Sequence, residues 1–298
     1  MGTTTDAALR VDTAMLAAMP PPGTVLTTDP DTTMSWAAAH LLAERRVGWG
    51  SPTSAGRPAG PPPGTRLGTR LHVDLTIEHA PSTRLVLGTA SARFLEAFDA
   101  PVAFAEREDT GSLPSTSLTA LAERRSPAAS SFVVQGTGDT VVGGVLLVER
   151  GPRSVFETLR VMVALPGGDD GDLRDRLEAG LQAVSLGRHP QAALFSSSRG
   201  RTDGLVDLGS LRPPVPVAVF AGARGARARG LTAGLARELG GVQVGSARAP
   251  GFLFAFRGAE ADRWRAAADL ARRMPPDPQR LRSASVPGDD GSWTGEVR

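Results

Sequence analysis

The sequence contains no cysteine, no lysine, no tyrosine and no asparagine, and Ile77 is its only isoleucine. Each absence removes a class of chemistry. Without cysteine there are no disulfides, no zinc–thiolate centres and no thiolate nucleophile. Without lysine there is no Schiff base and no Walker-type phosphate loop. Without tyrosine one further acid/base side chain is lost. All 33 cationic side chains are therefore arginine. Residues with AT-rich codons are missing and residues with GC-rich codons abound, which is the mark of a GC-rich bacterial genome. Most arginines are a product of that bias.

Long apolar runs are also lacking. Nowhere does an uninterrupted apolar span reach the length a membrane crossing needs. Met1–Pro22 has no Arg-led apolar run of the signal-peptide type. The expected location is the cytoplasm, with no membrane insertion.

The same absences explain a sequence pI near 10.5. The net charge is only +2, and with no Cys, Tyr or Lys almost nothing titrates between neutrality and the arginine range. A slight arginine excess then carries the pI far upward. A nucleic-acid footprint would need clustered charge, so a nucleic-acid partner is not expected.

What is present suits a globular fold. With 298 residues, 41% hydrophobic and 21% charged, the chain can bury a core as one large domain or two small ones. Residues 1–22 and 275–298 read as disordered tails around an N-terminal α/β part (23–126) and a C-terminal α+β part (127–274). In the first part, Gly23–Thr28 reads as a strand and residues 29–46 as a helix. Val47–Arg66 reads as a Gly/Pro-rich loop. Arg70–His79 alternates cleanly: Leu71, Val73, Leu75 and Ile77 face one way, His72, Asp74, Thr76 and Glu78 the other. Arg84–Gly88 reads as a partner strand. Helices are expected over Ser91–Phe98 and over Ser115–Arg125, the latter capped by Ser115.

The middle of the chain is the best patterned. Phe132–Gln135, Val141–Glu149 and Val155–Leu165 predict an antiparallel meander. A helix follows, with Leu173, Leu177, Leu181 and Val184 on one face, and then a strand over Ala192–Ser196. After a loop at Ser197–Leu211 come a strand (Val215–Phe220), a helix ending near Leu239, and a hairpin (Val242–Ser246 with Gly251–Phe256). A last helix over Glu260–Met274 is expected to bury Trp264, Ala267, Ala268 and Ala271. Hairpins mixed with helices predict an α+β fold, with helices packed on a mostly antiparallel or mixed sheet.

Four places could carry chemistry. His72, Asp74 and Glu78 share a strand face, where they could meet a metal or do acid/base work; the plain alternative is a solvated strand face. Gly222–Gly230 is a strand-to-helix loop in which Arg224, Arg227 and Arg229 could hold a phosphorylated ligand. It does not fit G-x-G-x-x-G, and the spacing equally suits a helix starting near residue 223. Asp169, Asp170, Asp172 and Asp175 lack EF-hand spacing and suit a helix start. Ser196–Arg201 has no G-x-S-x-G and reads as a loop. His189 is placed at a helix end and His40 within a helix, neither with metal-ligand spacing. No catalytic set, metal site or cofactor fingerprint emerges, so no cofactor is expected.

Diffuse patterns at Leu118–Arg125 followed by Ser126-Pro-Ala, at Phe132–Gln135, Arg201–Leu208 and Pro213–Phe220, and at Asp262-Arg-Trp-Arg265 resemble an actinobacterial family, domain of unknown function 6177. Thr24–Thr28 is similar to its opening strand. The resemblance spans roughly residues 23–274. It implies an accessory protein with a protein partner, associated with type VII secretion loci, and no activity that can be carried over.

Overall fold

The computed structural model describes residues 33–35, 66–106, 112–151, 153–167, 170–186, 188–203, 205–207 and 214–274. The tails expected at 1–22 and 275–298, the strand at Gly23–Thr28, His40, most of the loop at Val47–Arg66 and Asp169 lie outside them.

The strands are β1 (Thr33–Ser35), β2 (Leu67–His79), β3 (Val102–Ala105), β4 (Ser130–Gly136), β5 (Val142–Arg150), β6 (Val155–Leu165), β7 (His189–Arg201), β8 (Leu205–Asp207), β9 (Val215–Ala221), β10 (Gly241–Val244) and β11 (Gly251–Ala255). The helices are α1 (Thr89–Glu96), α2 (Ser115–Arg125), α3 (Asp170–Ser185), α4 (Ala223–Ala228), α5 (Ala233–Glu238) and α6 (Glu260–Arg273). Nine strands form one antiparallel sheet in the order β10-β11-β9-β7-β2-β6-β5-β4-β3, and β1 pairs with β8 apart from it. The architecture is the expected α+β. Strands from residues 67–105 and from 130–255 share the one sheet, with β2 lying between β6 and β7.

The alternation of β2 is why it sits there. Leu71, Leu75 and Ile77 are fully buried and Val73 nearly so. They face the same layer as Leu159, Val161 and Val163 of β6 and Phe195 of β7. Helices α1 and α3 close this layer: Phe94 of α1 stacks on Phe195 at 5.8 Å and meets Phe98 at 5.5 Å. Leu173, Leu177, Leu181 and Val184 of α3 enter the same core, as their spacing predicts. Each such side chain contributes roughly 1.5–3 kcal/mol on burial. A second, smaller core forms on the other sheet face, where Phe252 and Phe254 of β11 pack with Ala226, Leu231, Ala236 and Leu270 from α4, α5, α6 and their connections.

Several expected elements differ. Thr33–Ser35, inside the helix expected at 29–46, is a strand, because pairing with Leu205–Asp207 overrides local propensity. Arg84–Gly88 is a turn region. Both edges of β2 are already taken by β6 and β7, so no partner position is left. Helix α2 starts at Ser115, but its N-cap is Pro114 and no side chain caps it. Strand β7 runs on through Ser197–Arg201, because β2 extends back to Leu67 and supplies its pairing partners; this also puts His189 at a strand start. The helix expected up to Leu239 is broken in two at Gly230, whose φ of 66° leaves the helical region. Helix α6 buries Leu270 but leaves Trp264, Ala268 and Ala271 exposed. Among the described residues, no helix is long and apolar enough to cross a membrane.

Candidate functional site

The polar face of β2 forms as the alternation predicts, but its side chains do not converge. Each is bound sideways to a neighbouring strand. His72 Nε2 lies 2.8 Å from Ser198 Oγ on β7. Asp74 pairs with Arg160 of β6 at 3.2 Å. Thr76 Oγ1 meets Thr158 Oγ1 at 3.2 Å. Among the described residues, no three His, Asp or Glu side chains gather as a metal site would require. Asp172 is likewise engaged, accepting from Arg176 one turn along α3 at 3.0 Å. Ser198 stands within a strand paired to β2, with the His72 ring beside it.

Glu78, the last residue of that face, is different. Its carboxylate accepts from Ser154 Oγ at 2.6 Å, Gln191 Nε2 at 2.8 Å, and Arg224 Nη1 at 3.0 and 3.2 Å. The structure thus joins two features that are 146 residues apart in the chain. They meet in a cleft of about 430 Å³ at the end of the sheet where β7 begins, β9 passes into α4, and β10 turns into β11. Phe220 and Val244 form its apolar floor, and Arg188, Arg224 and Arg227 stand along it. Arg229 is the C-cap residue of α4 and is not part of the lining.

The glycine that opens the Arg-rich loop has a packing role. Gly222 N donates to Gln191 O at 2.8 Å, and a Cβ there would drive into the Pro190 carbonyl oxygen. That backbone N–H is consumed inside the protein and does not cradle a ligand. α4, with six residues, is a short strut that carries Arg224 and Arg227 at i and i+3, on one face.

A third cluster escaped the sequence reading. Glu157 of β6 is fully buried, beside the nearly buried His79 of β2 and the fully buried Ser91 of α1. Its carboxylate lies 3.0 Å from His79 Nε2 and accepts from Gly88 N at 3.1 Å, Ser91 N at 3.2 Å and Ser91 Oγ. The N-cap of α1 is Gly88, held at φ 79° where Phe104 leaves no room for a Cβ, so the helix has no side-chain cap of its own. Glu157 supplies that cap from another strand, and its charge suits the helix terminus. Burial alone would raise its pKa. The hydrogen bond and positive charge of His79, with the bonds from Ser91 and Gly88, outweigh this and hold the carboxyl below the ordinary range. The Ser91 hydroxyl is tied to an acid and sealed from solvent, so the cluster is a structural knot and not a nucleophile. Strand parity carried the signal for it: Glu157 shares the inward parity of Val155, Leu159 and Val161, and His79 that of Ile77.

The described body is thus an α+β protein with a nine-stranded antiparallel sheet, helices on both sheet faces, and an arginine-lined cleft at one end of the strands. Residues 70–276 match the family model of the DUF6177 C-terminal domain, and the chain belongs to that family. The match starts at residue 70 and so leaves out Thr24–Thr28. No curated protein is significantly similar to the chain. Among solved structures, the T6SS protein PA0821 of Pseudomonas aeruginosa is similar with a TM-score of 0.38 and 8% identity, over 70% of this chain and 77% of that one.

Proposed function

We propose that this chain is a cytoplasmic accessory protein that binds another protein, in a type VII secretion context, and that α6 makes the contact. The observation that carries the proposal is Trp264. It is 48% exposed on a helix whose inward side is marked by Leu270 at 7%. Ala261, Ala268 and Ala271 are exposed with it. The positions 261, 264, 268 and 271 follow the three-and-four spacing by which one helix packs against another. The body covers α6 on the Leu270 side and leaves this second stripe open among the described residues. Arg263 and Arg265 flank the tryptophan, and Trp and Arg are the residue types that dominate binding hot spots.

Binding is favoured over catalysis by the state of the two best-placed acids. Glu78 is saturated by Ser154, Gln191 and Arg224, and Glu157 is sealed in the core. Neither is poised to take a proton from a substrate. The secretion context rests on the association of the family with such loci.

The test is affinity capture from native lysate with the parent and with Trp264→Ala. A partner retained by the parent and lost by the variant, both equally folded by circular dichroism, supports the proposal. Recovery of the parent alone and monomeric overturns it. Equal capture by both overturns the assignment to α6.

A further inference from the structure

The cleft holding Glu78 lies apart from α6 and has its own chemistry. Its volume of about 430 Å³ falls in the range of roughly 300–1,000 Å³ usual for small-molecule sites. Arg188, Arg224, Arg227 and Glu78 all line it. Arg224 spends Nη1 on Glu78, and no described residue engages its Nε or Nη2. No described residue pairs with the Arg227 guanidinium, and both arginines are exposed at the cleft. Phe220 and Val244, both otherwise buried, are apolar members of the same lining.

We infer that this cleft is a binding site for a small phosphate monoester with an apolar or aromatic body. The dianionic head takes forked N–H donors from Arg224 and Arg227. The body lies on Phe220 and Val244. Glu78 does not repel the head, because Ser154, Gln191 and Arg224 already compensate its charge. Its part is to hold Arg224 at the cleft with the remaining edge of the guanidinium presented outward. Nothing in this recognition uses the N-terminus of α4 or the Gly222 amide. The specificity comes from side chains on two different elements and an apolar floor.

Calorimetric titration of the full chain with phenyl phosphate, inorganic phosphate and benzoate tests this. Phenyl phosphate is expected to bind with Kd below about 1 mM, more tightly than inorganic phosphate for want of a body, and more tightly than benzoate for want of charge. Arg224→Ala and Arg227→Ala should each weaken phenyl phosphate at least about tenfold. Both sites are exposed, so the variants should keep the parental melting temperature. Ser246→Trp, an exposed position on the cleft lining, should plug the site and abolish binding. No binding of phenyl phosphate by the parent overturns the inference. So do unchanged affinity in the two arginine variants, survival of binding in the plugged variant, and benzoate equalling phenyl phosphate.

Discussion

At the residue scale, Glu157 shows how a buried charge is made tolerable and what it then controls. Four donors from three residues converge on its carboxylate, and removing one member of such a group leaves the others desolvated and unpaired. Glu157→Gln should therefore lower stability by about 3 kcal/mol, measured by urea unfolding at neutral pH. The sign of the pH effect follows from the depressed pKa. The charged form is favoured in the folded protein, so its contribution is complete above the unfolded value of 4.5. It is lost as pH falls through the lower folded value. Parent and Glu157→Gln stabilities should thus draw together at acid pH; a gap that stays constant from neutrality to pH 3 would show that the carboxylate charge is not what stabilises the knot. This residue was legible only through strand parity. Glu157 reads as one polar position in an apolar strand, and no local signal names its partners, which lie 66 to 78 residues away.

At the element scale, periodicity named the helices but not their coverage. The apolar residues of α6 lie on two neighbouring stripes, roughly a third of a turn apart. One, with Ala267 and Leu270, meets the small core; the other, with Trp264, Ala268 and Ala271, does not. Sequence alone treats both as core-facing, since an apolar stripe looks the same whether its own chain or a partner covers it. The two stripes predict opposite outcomes on one helix. Leu270→Ala should cost at least about 2 kcal/mol, while Trp264→Ala should stay within about 0.5 kcal/mol, both by denaturant unfolding of the isolated chain. A large loss at Trp264 would mean that the chain covers this stripe itself. The connection into α4 gives a second prediction. Gly222 is the point where the β9–α4 turn touches the start of β7, so Gly222→Ala must separate the two backbones. A cost of about 2 kcal/mol is expected, accompanied by loss of the Arg224–Glu78 geometry and of phenyl phosphate binding. The glycine-rich character of this loop was plain from sequence; that it serves packing, with the arginines left to meet the ligand, depends on the neighbouring strand.

At the scale of the whole molecule, the hairpins β4-β5-β6 and β10-β11 were readable because their partners are adjacent in sequence. The central pairings of β2 with β6 and β7 were not, because they join residues about 80 to 130 apart and no local turn sets their register. Charge, in contrast, is a property of composition and needs no fold. The chain has 33 arginines, 31 acids and neither lysine nor tyrosine, so between neutrality and the arginine range it lacks the side chains that ordinarily titrate. After the terminal amine has titrated, near pH 8, no side chain remains to lose a proton until the arginine range. A typical protein becomes steadily more anionic over the same interval as its tyrosines and lysines titrate near pH 10. The electrophoretic mobility of this protein should instead be flat between about pH 9 and pH 11, corresponding to less than about one unit of charge. Capillary electrophoresis across that window measures it directly, and a mobility that turns clearly anionic by pH 11 would contradict it. The same plateau separates the two meanings of a high pI. Here it reflects missing titratable groups, so at moderate ionic strength the protein should elute early from a cation exchanger despite a pI near 10.5, whereas a basic nucleic-acid-binding surface would hold it on the column through clustered charge.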